Sequence, residues 1–157
     1  MRSAEPSAYT TPQDWCITGD LPPSELWPII RDRYIIPLQR HWYTHGIGLV
    51  PSLSSVYRPV SYEINKGRPG TSLHCFPAGT FGAADLTMHD GSKVKHVIDS
   101  VVEHLPFRRI CYYEAQNFIH VDYGEDGRRS GDRRSLWLCS KPGGSWTRMS
   151  WLPEPVI

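Results

Sequence analysis

The chain has 157 residues, 39% hydrophobic and 21% charged, with a formal net charge of +1. That length and balance suit one soluble domain with a real core, and so small a charge argues against a nucleic-acid partner. No stretch is long and apolar enough to span a bilayer, so no membrane partner is expected; Met1 to Trp15 lack the continuous apolar run of a signal peptide.

Residues 1–23 are rich in Pro, Ser and Thr and are expected to form an extended N-terminal arm, pinned to the body by Trp15; residues 24–157 are expected to form a single domain. From Ser24 to Trp42, Leu26, Ile29, Ile30, Tyr34 and Leu38 recur at helical steps. Pro28 suits a first turn, Pro37 predicts a kink, and Gly46 and Gly48 end the helix. Leu49 to Tyr57 predicts a strand weakened by Pro51, and Pro59 to Lys66 a short helix or turn. Asp90 or Ser92 is the expected N-cap of a helix carrying Val94, Val97, Ile98, Val101, Val102 and Leu105 on one face, stopped by Pro106. Beyond it the period becomes two. Strands are predicted at Arg109–Glu114 and Phe118–Tyr123, then a closing hairpin of Leu136–Ser140 and Trp146–Ser150 around Lys141-Pro-Gly-Gly. Gly124 to Arg134, where charges of both signs alternate, reads as a solvated loop. This order predicts an α+β fold with a mostly antiparallel sheet, flanking helices and a C-terminal hairpin.

The four cysteines, Cys16, Cys75, Cys111 and Cys139, form no CxxC pair and read as reduced, mostly buried thiols. Seven histidines offer many possible ligands, and a catalytic zinc needs three protein ligands with one position left open. His74 lies in Thr71-Ser-Leu-His, shortly before Gly82-Ala-Ala-Asp-Leu. His120 lies in Phe118-Ile-His-Val-Asp, where alternation puts Phe118, His120 and Asp122 on one face and Ile119 and Val121 on the other. His41, His45, His89, His96 and His104 sit in no motif.

Ser72-Leu-His74 followed by Ala83-Ala-Asp85-Leu resembles the SxH…AxD signature of the zinc D-Ala-D-Ala peptidases. Ser55-Val-Tyr-Arg-Pro59 resembles the arginine-bearing segment upstream of that signature, and Phe107 to Asp122 is similar to the matching segment of hedgehog domains. The resemblance implies a hedgehog/DD-peptidase-like fold over residues 24–157 in which His74, Asp85 and His120 bind Zn2+. It implies that Glu114, six residues before His120, is the proton-transferring acid. Many wall relatives carry that acid three residues before the histidine, where this chain has Asn117. Asp122 is a second candidate base. Arg58 would hold the substrate carbonyl or developing oxyanion.

The chain departs from the family in one respect. Asp85 follows His74 by eleven residues rather than the family's seven, and the longer link would place Phe76 and Phe81 at the cleft rim. Cys75 is expected to be a packed thiol.

The implied activity is cleavage of an amide bond in peptidoglycan stem peptides or cross-bridges, as carboxypeptidase or endopeptidase. Without a secretion signal, a bacteriophage lysis or virion-associated enzyme, made in the bacterial cytoplasm, is expected, with virion proteins as possible partners. The alternative is a non-catalytic structural virion subunit on the same fold, using the arm, Trp137, Trp146 and Trp151 as contact surfaces.

Overall fold

The computed structural model describes residues 11–52, 55–124 and 133–156. Its N-terminal helix runs in three parts: α1 (Trp27–Ile30), a π-helical turn (Arg31–Ile35) and α2 (Ile36–His45). Pro37 explains the interruption. It has no N–H for the Arg33 carbonyl four residues back, and its ring crowds that carbonyl. One turn widens, and the Tyr123 hydroxyl donates to the Arg33 carbonyl at 2.6 Å. Gly46 then ends α2 in the left-handed conformation at φ 71°, its N–H bonded to the Trp42 carbonyl.

Three further stretches complete the first half: strand β1 (Leu49–Pro51), helix α3 (Val60–Asn65) and strand β2 (Ala83–Met88). β1 is shorter than predicted, because Pro51 gives the ladder no donor and the chain turns away after it. The arm is fastened where it meets the body. Trp15 is buried, and its carbonyl accepts from the Tyr57 N–H while the Ile17 N–H donates to the Tyr57 carbonyl. Residues 1–10 of the predicted arm lie outside the described residues.

The helix expected from Asp90 begins later. A 3-10 turn over Val94–Val97 leads into α4 (Ile98–His104), while Asp90 closes a local turn by accepting from the Ser92 N–H at 2.9 Å. The entry is capped from afar: Asn117 Oδ1 accepts from the Val94 N–H at 2.9 Å.

The remaining strands are β3 (Arg109–Tyr113), β4 (Phe118–Asp122), β5 (Arg134–Cys139) and β6 (Thr147–Leu152). All six strands form one sheet in the order β1-β2-β4-β3-β5-β6, antiparallel at every pairing except β3 with β5. The predicted mixed α+β class, antiparallel bias and closing hairpin are all present.

Strand alternation splits the sheet into two faces. Ala84, Leu86, Ile110, Tyr112, Ile119 and Val121 join Ile30, Tyr34, Leu38, Val94, Val97 and Val101 in one core. The other face carries a cross-strand row, because Asp85 pairs with His120, His120 with Cys111, and Cys111 with Trp137. Among the described residues no helix is long and apolar enough to cross a membrane.

Arg134 departs from the solvated loop predicted for its segment. It opens β5 with about 1% of its surface exposed and donates to the carbonyls of Val102, Leu105, Phe107 and Pro153. Its neighbours at 125–132 lie outside the described residues.

Candidate metal centre

His74 sits in a 3-10 turn (Leu73–Cys75) whose preceding residue, Ser72, accepts the His74 N–H on its hydroxyl at 3.2 Å. Asp85 occupies the middle of β2 and His120 the middle of β4, directly opposite one another across an antiparallel pair. Sheet register therefore joins these two side chains, and the turn brings the third. The converging atoms are His74 Nε2, His120 Nδ1 and Asp85 Oδ1, separated by 3.2 Å, 3.1 Å and 3.3 Å around the triangle.

Each ligand is aimed by a partner on its other side. His74 Nδ1 lies 2.9 Å from the Val56 carbonyl, which can only accept, so Nδ1 carries the proton and Nε2 presents a lone pair. His120 Nε2 donates to Asp122 Oδ2 at 2.8 Å, which turns Nδ1 toward the cluster. Asp85 Oδ2 accepts from the Ser55 hydroxyl at 2.8 Å and from Arg58 at 3.2 Å, leaving Oδ1 for the centre. Such outer partners fix tautomer and ring orientation at metal sites.

The electrostatics favour a cation in the middle. Burial alone raises a carboxyl pKa, yet hydrogen bonds from His120 and His74 hold Asp85 well below the usual carboxylate range. Burial dominates at His74 and lowers its pKa, which keeps it a neutral donor of a lone pair. At His120 burial is outweighed by Asp122 and Asp85, and its pKa rises to about 9. A proton therefore sits among these acceptors at neutral pH unless another cation replaces it.

A metal ion fits this donor set. Tetrahedral bonds of about 2.0–2.1 Å put ligand atoms roughly 3.3–3.4 Å apart, and the observed edges are 3.1–3.3 Å. Among the described residues this is the one group of three or more His, Cys, Asp or Glu side chains whose ligand atoms converge within 4.8 Å.

The other residues singled out in the sequence fall in three places. Arg58 reaches the site, but its guanidinium is turned to Asp85 and Ser55 at 3.2 Å and to the buried Glu63 at 3.5 Å. Asp122 is fully buried, accepting from His120, Arg109 and the Gly124 N–H. Glu114 is exposed just past the end of β3, three positions beyond Cys111, the partner of His120. Asn117, at φ 56°, shapes the β3–β4 turn.

Within the long link from His74 to Asp85, Phe76 and Phe81 turn inward instead of standing at the cleft rim. Phe76 is buried against Tyr34 and Tyr57, and Phe81 packs edge-on against Tyr123 with Arg33 stacked 3.8 Å above it. Phe76 can turn inward because Gly82, at φ 66°, leaves room for its ring where any Cβ would collide. Cys75 does not join the cluster, and all four cysteines are free.

Two cavities open beside His120. One of about 300 Å³ is lined by Arg109, Cys111, Tyr113, His120, Trp137 and Trp146. The other, of about 510 Å³, is lined by Thr71, Ser72, Leu73, Pro77, Arg109 and His120. Most of these residues lie inside segments already singled out in the sequence, Thr71 to His74 and Phe107 to Asp122, as Ser55 and Val56 do in Ser55 to Pro59, but their roles as cavity lining and aiming partners were not foreseen. Period-two alternation in β3, which places Arg109, Cys111 and Tyr113 on one face, is the signal that could have pointed to the first cavity. Comparison with protein-family models, curated proteins and solved structures found no match for this chain.

Proposed function

We propose that the chain is a zinc-dependent peptidase of the hedgehog/D-Ala-D-Ala peptidase type, cutting amide bonds in peptidoglycan stem peptides or cross-bridges and associated with a bacteriophage. The observation that carries this is the convergence of separate sequence blocks. Ser55 to Arg58, Ser72 to His74, Asp85, and His120 to Asp122 meet as ligands and their aiming partners. Two imidazole nitrogens and one carboxylate oxygen suit zinc, and three ligands leave a fourth position for water or substrate. When bound, zinc supplies Lewis-acid polarisation of a carbonyl and a water nucleophile near neutral pH.

The chain's own residues hold and aim. Ser55 and Arg58 fix Asp85, the Val56 carbonyl fixes the His74 tautomer, and Asp122, itself held by Arg109, fixes His120. Arg58 thus acts first on a metal ligand, and a substrate carbonyl would meet its remaining exposed edge. The two cavities that share His120 and Arg109 offer room for a peptide beside the centre. Glu114, the acid that the resemblance assigns to proton transfer, makes no ion pair among the described residues.

A second reading, a non-catalytic virion subunit on the same fold, is favoured by one observation: Glu114 lines neither cavity beside His120. Release of amino groups from purified peptidoglycan separates the two. Cleavage by the zinc-loaded chain, abolished in His120→Ala and in Glu114→Gln with zinc retained in the latter, is the expected result. Zinc binding without cleavage of any wall type would leave the structural subunit.

A further inference from the structure

We infer that Tyr113 is a catalytic residue of this site, its hydroxyl donating a hydrogen bond to the substrate carbonyl oxygen as that oxygen gains negative charge. The inference rests on the peptidase reading and names a chain donor for the oxyanion.

Alternation along β3 puts Tyr113 on the same sheet face as Cys111, and Cys111 pairs with His120, so Tyr113 and His120 share a face. Both line the same cavity of about 300 Å³. The ring of Tyr113 is held on two sides: it stacks on Phe118 at 4.2 Å between centroids and meets Trp146 edge-on at 4.8 Å. A ring so fixed presents its hydroxyl in a set direction, which is the requirement for preorganised stabilisation.

The hydroxyl makes no hydrogen bond among the described residues, so it has a donor to offer. It also lies within electrostatic reach of the centre. Burial pushes the phenol up to about 12, with the Asp85 carboxylate raising it further and Arg58 acting in the opposite sense. A phenol that stays protonated across the physiological range is a donor throughout it. Arg58, by contrast, already spends two of its nitrogens on Asp85, Ser55 and Glu63.

Tyr113→Phe keeps the ring, its stacking and the cavity shape while removing only the donor. With the zinc-loaded full chain and a wall peptide that wild type cleaves, kcat is expected to fall roughly 100-fold, with KM within about twofold of wild type. Zinc content should not change. Affinity for a phosphinate pseudodipeptide of alanyl-alanine, measured by calorimetry, should fall by a factor similar to that in kcat. A variant with wild-type kcat and wild-type phosphinate affinity overturns the role of Tyr113 and leaves the peptidase standing. A kcat loss accompanied by zinc loss also overturns it, since that marks a structural role. A wild-type chain that loads zinc yet neither cleaves wall peptides nor binds the phosphinate overturns the peptidase reading, and this inference with it.

Discussion

Asp122 sits at 0% exposure and is satisfied by three donors: His120 Nε2, Arg109 and the Gly124 N–H. Burial would raise its pKa, but the hydrogen bond from His120 and the charges of His120 and Arg109 lower it, so it stays ionised. At metal sites an ionised partner raises the basicity of the ligating imidazole. Asp122→Asn keeps a carbonyl acceptor for His120 and removes the charge; zinc affinity is expected to fall roughly 10–100-fold, read by competition with a chromogenic chelator. Unchanged affinity would mean that Asp122 does not tune the centre. The candidate ligands His74, Asp85 and His120 were legible only through the motif resemblance, because a lone histidine in a turn or strand carries no such assignment. Their aiming partners were not, because the Val56 carbonyl has no side-chain signature and Asp122 reads equally as a base. Glu114 shows the opposite limit. Its six-residue spacing to His120 says nothing of the β3–β4 turn, which ends β3 at Tyr113 and leaves Glu114 exposed.

At the scale of elements, the change to a period of two after Pro106 marked a real boundary, and the four late strands fell within two residues of their predicted limits. Two features were hidden because they depend on distant residues. Asn117 caps the 3-10 turn from 23 residues away, and Tyr123 serves the Arg33 carbonyl from 90 residues away. Tyr123→Phe leaves that carbonyl without its donor and is expected to cost about 1–3 kcal/mol in chemical denaturation. No loss would show that water satisfies the widened turn equally well. Gly82→Ala tests the inward turn of Phe76 within the His74–Asp85 link. A side chain there meets the Phe76 ring and is strained at φ 66°. Both stability and zinc affinity should drop together, because displaced Phe76 lies two residues from His74. A fall in stability alone would uncouple the link from the centre.

For the molecule as a whole, two buried groups set how stability responds. Arg134, read from sequence as part of a charged loop, donates to four carbonyls drawn from α4, the link between α4 and β3, and the segment after β6. Charge alternation is visible in a sequence, but burial of one member is decided by where the chain closes. Arg134→Met strands those acceptors and is expected to cost about 3 kcal/mol or more, measured by urea unfolding.

His41 acts through pH. Burial first, then the neighbouring charges of His45 and His104, lowers its pKa from 6.5 to about 4. The unfolded chain therefore takes up a proton that the folded chain refuses between those values. Stability attributable to this group is complete above pH 6.5 and declines as pH falls toward 4. His41→Gln, which keeps a partner for Ser100, should flatten the fall in Tm between pH 7 and pH 5. An unchanged slope would place the acid sensitivity elsewhere.

All of these effects surround the convergence of His74, Asp85 and His120, and metal content tests it most directly. Elemental analysis of the full chain, dialysed against zinc and then against metal-free buffer, should give about one zinc ion per chain, lost in both His74→Ala and His120→Ala. A folded chain that retains no zinc, or retains it equally in both variants, would contradict the metal centre.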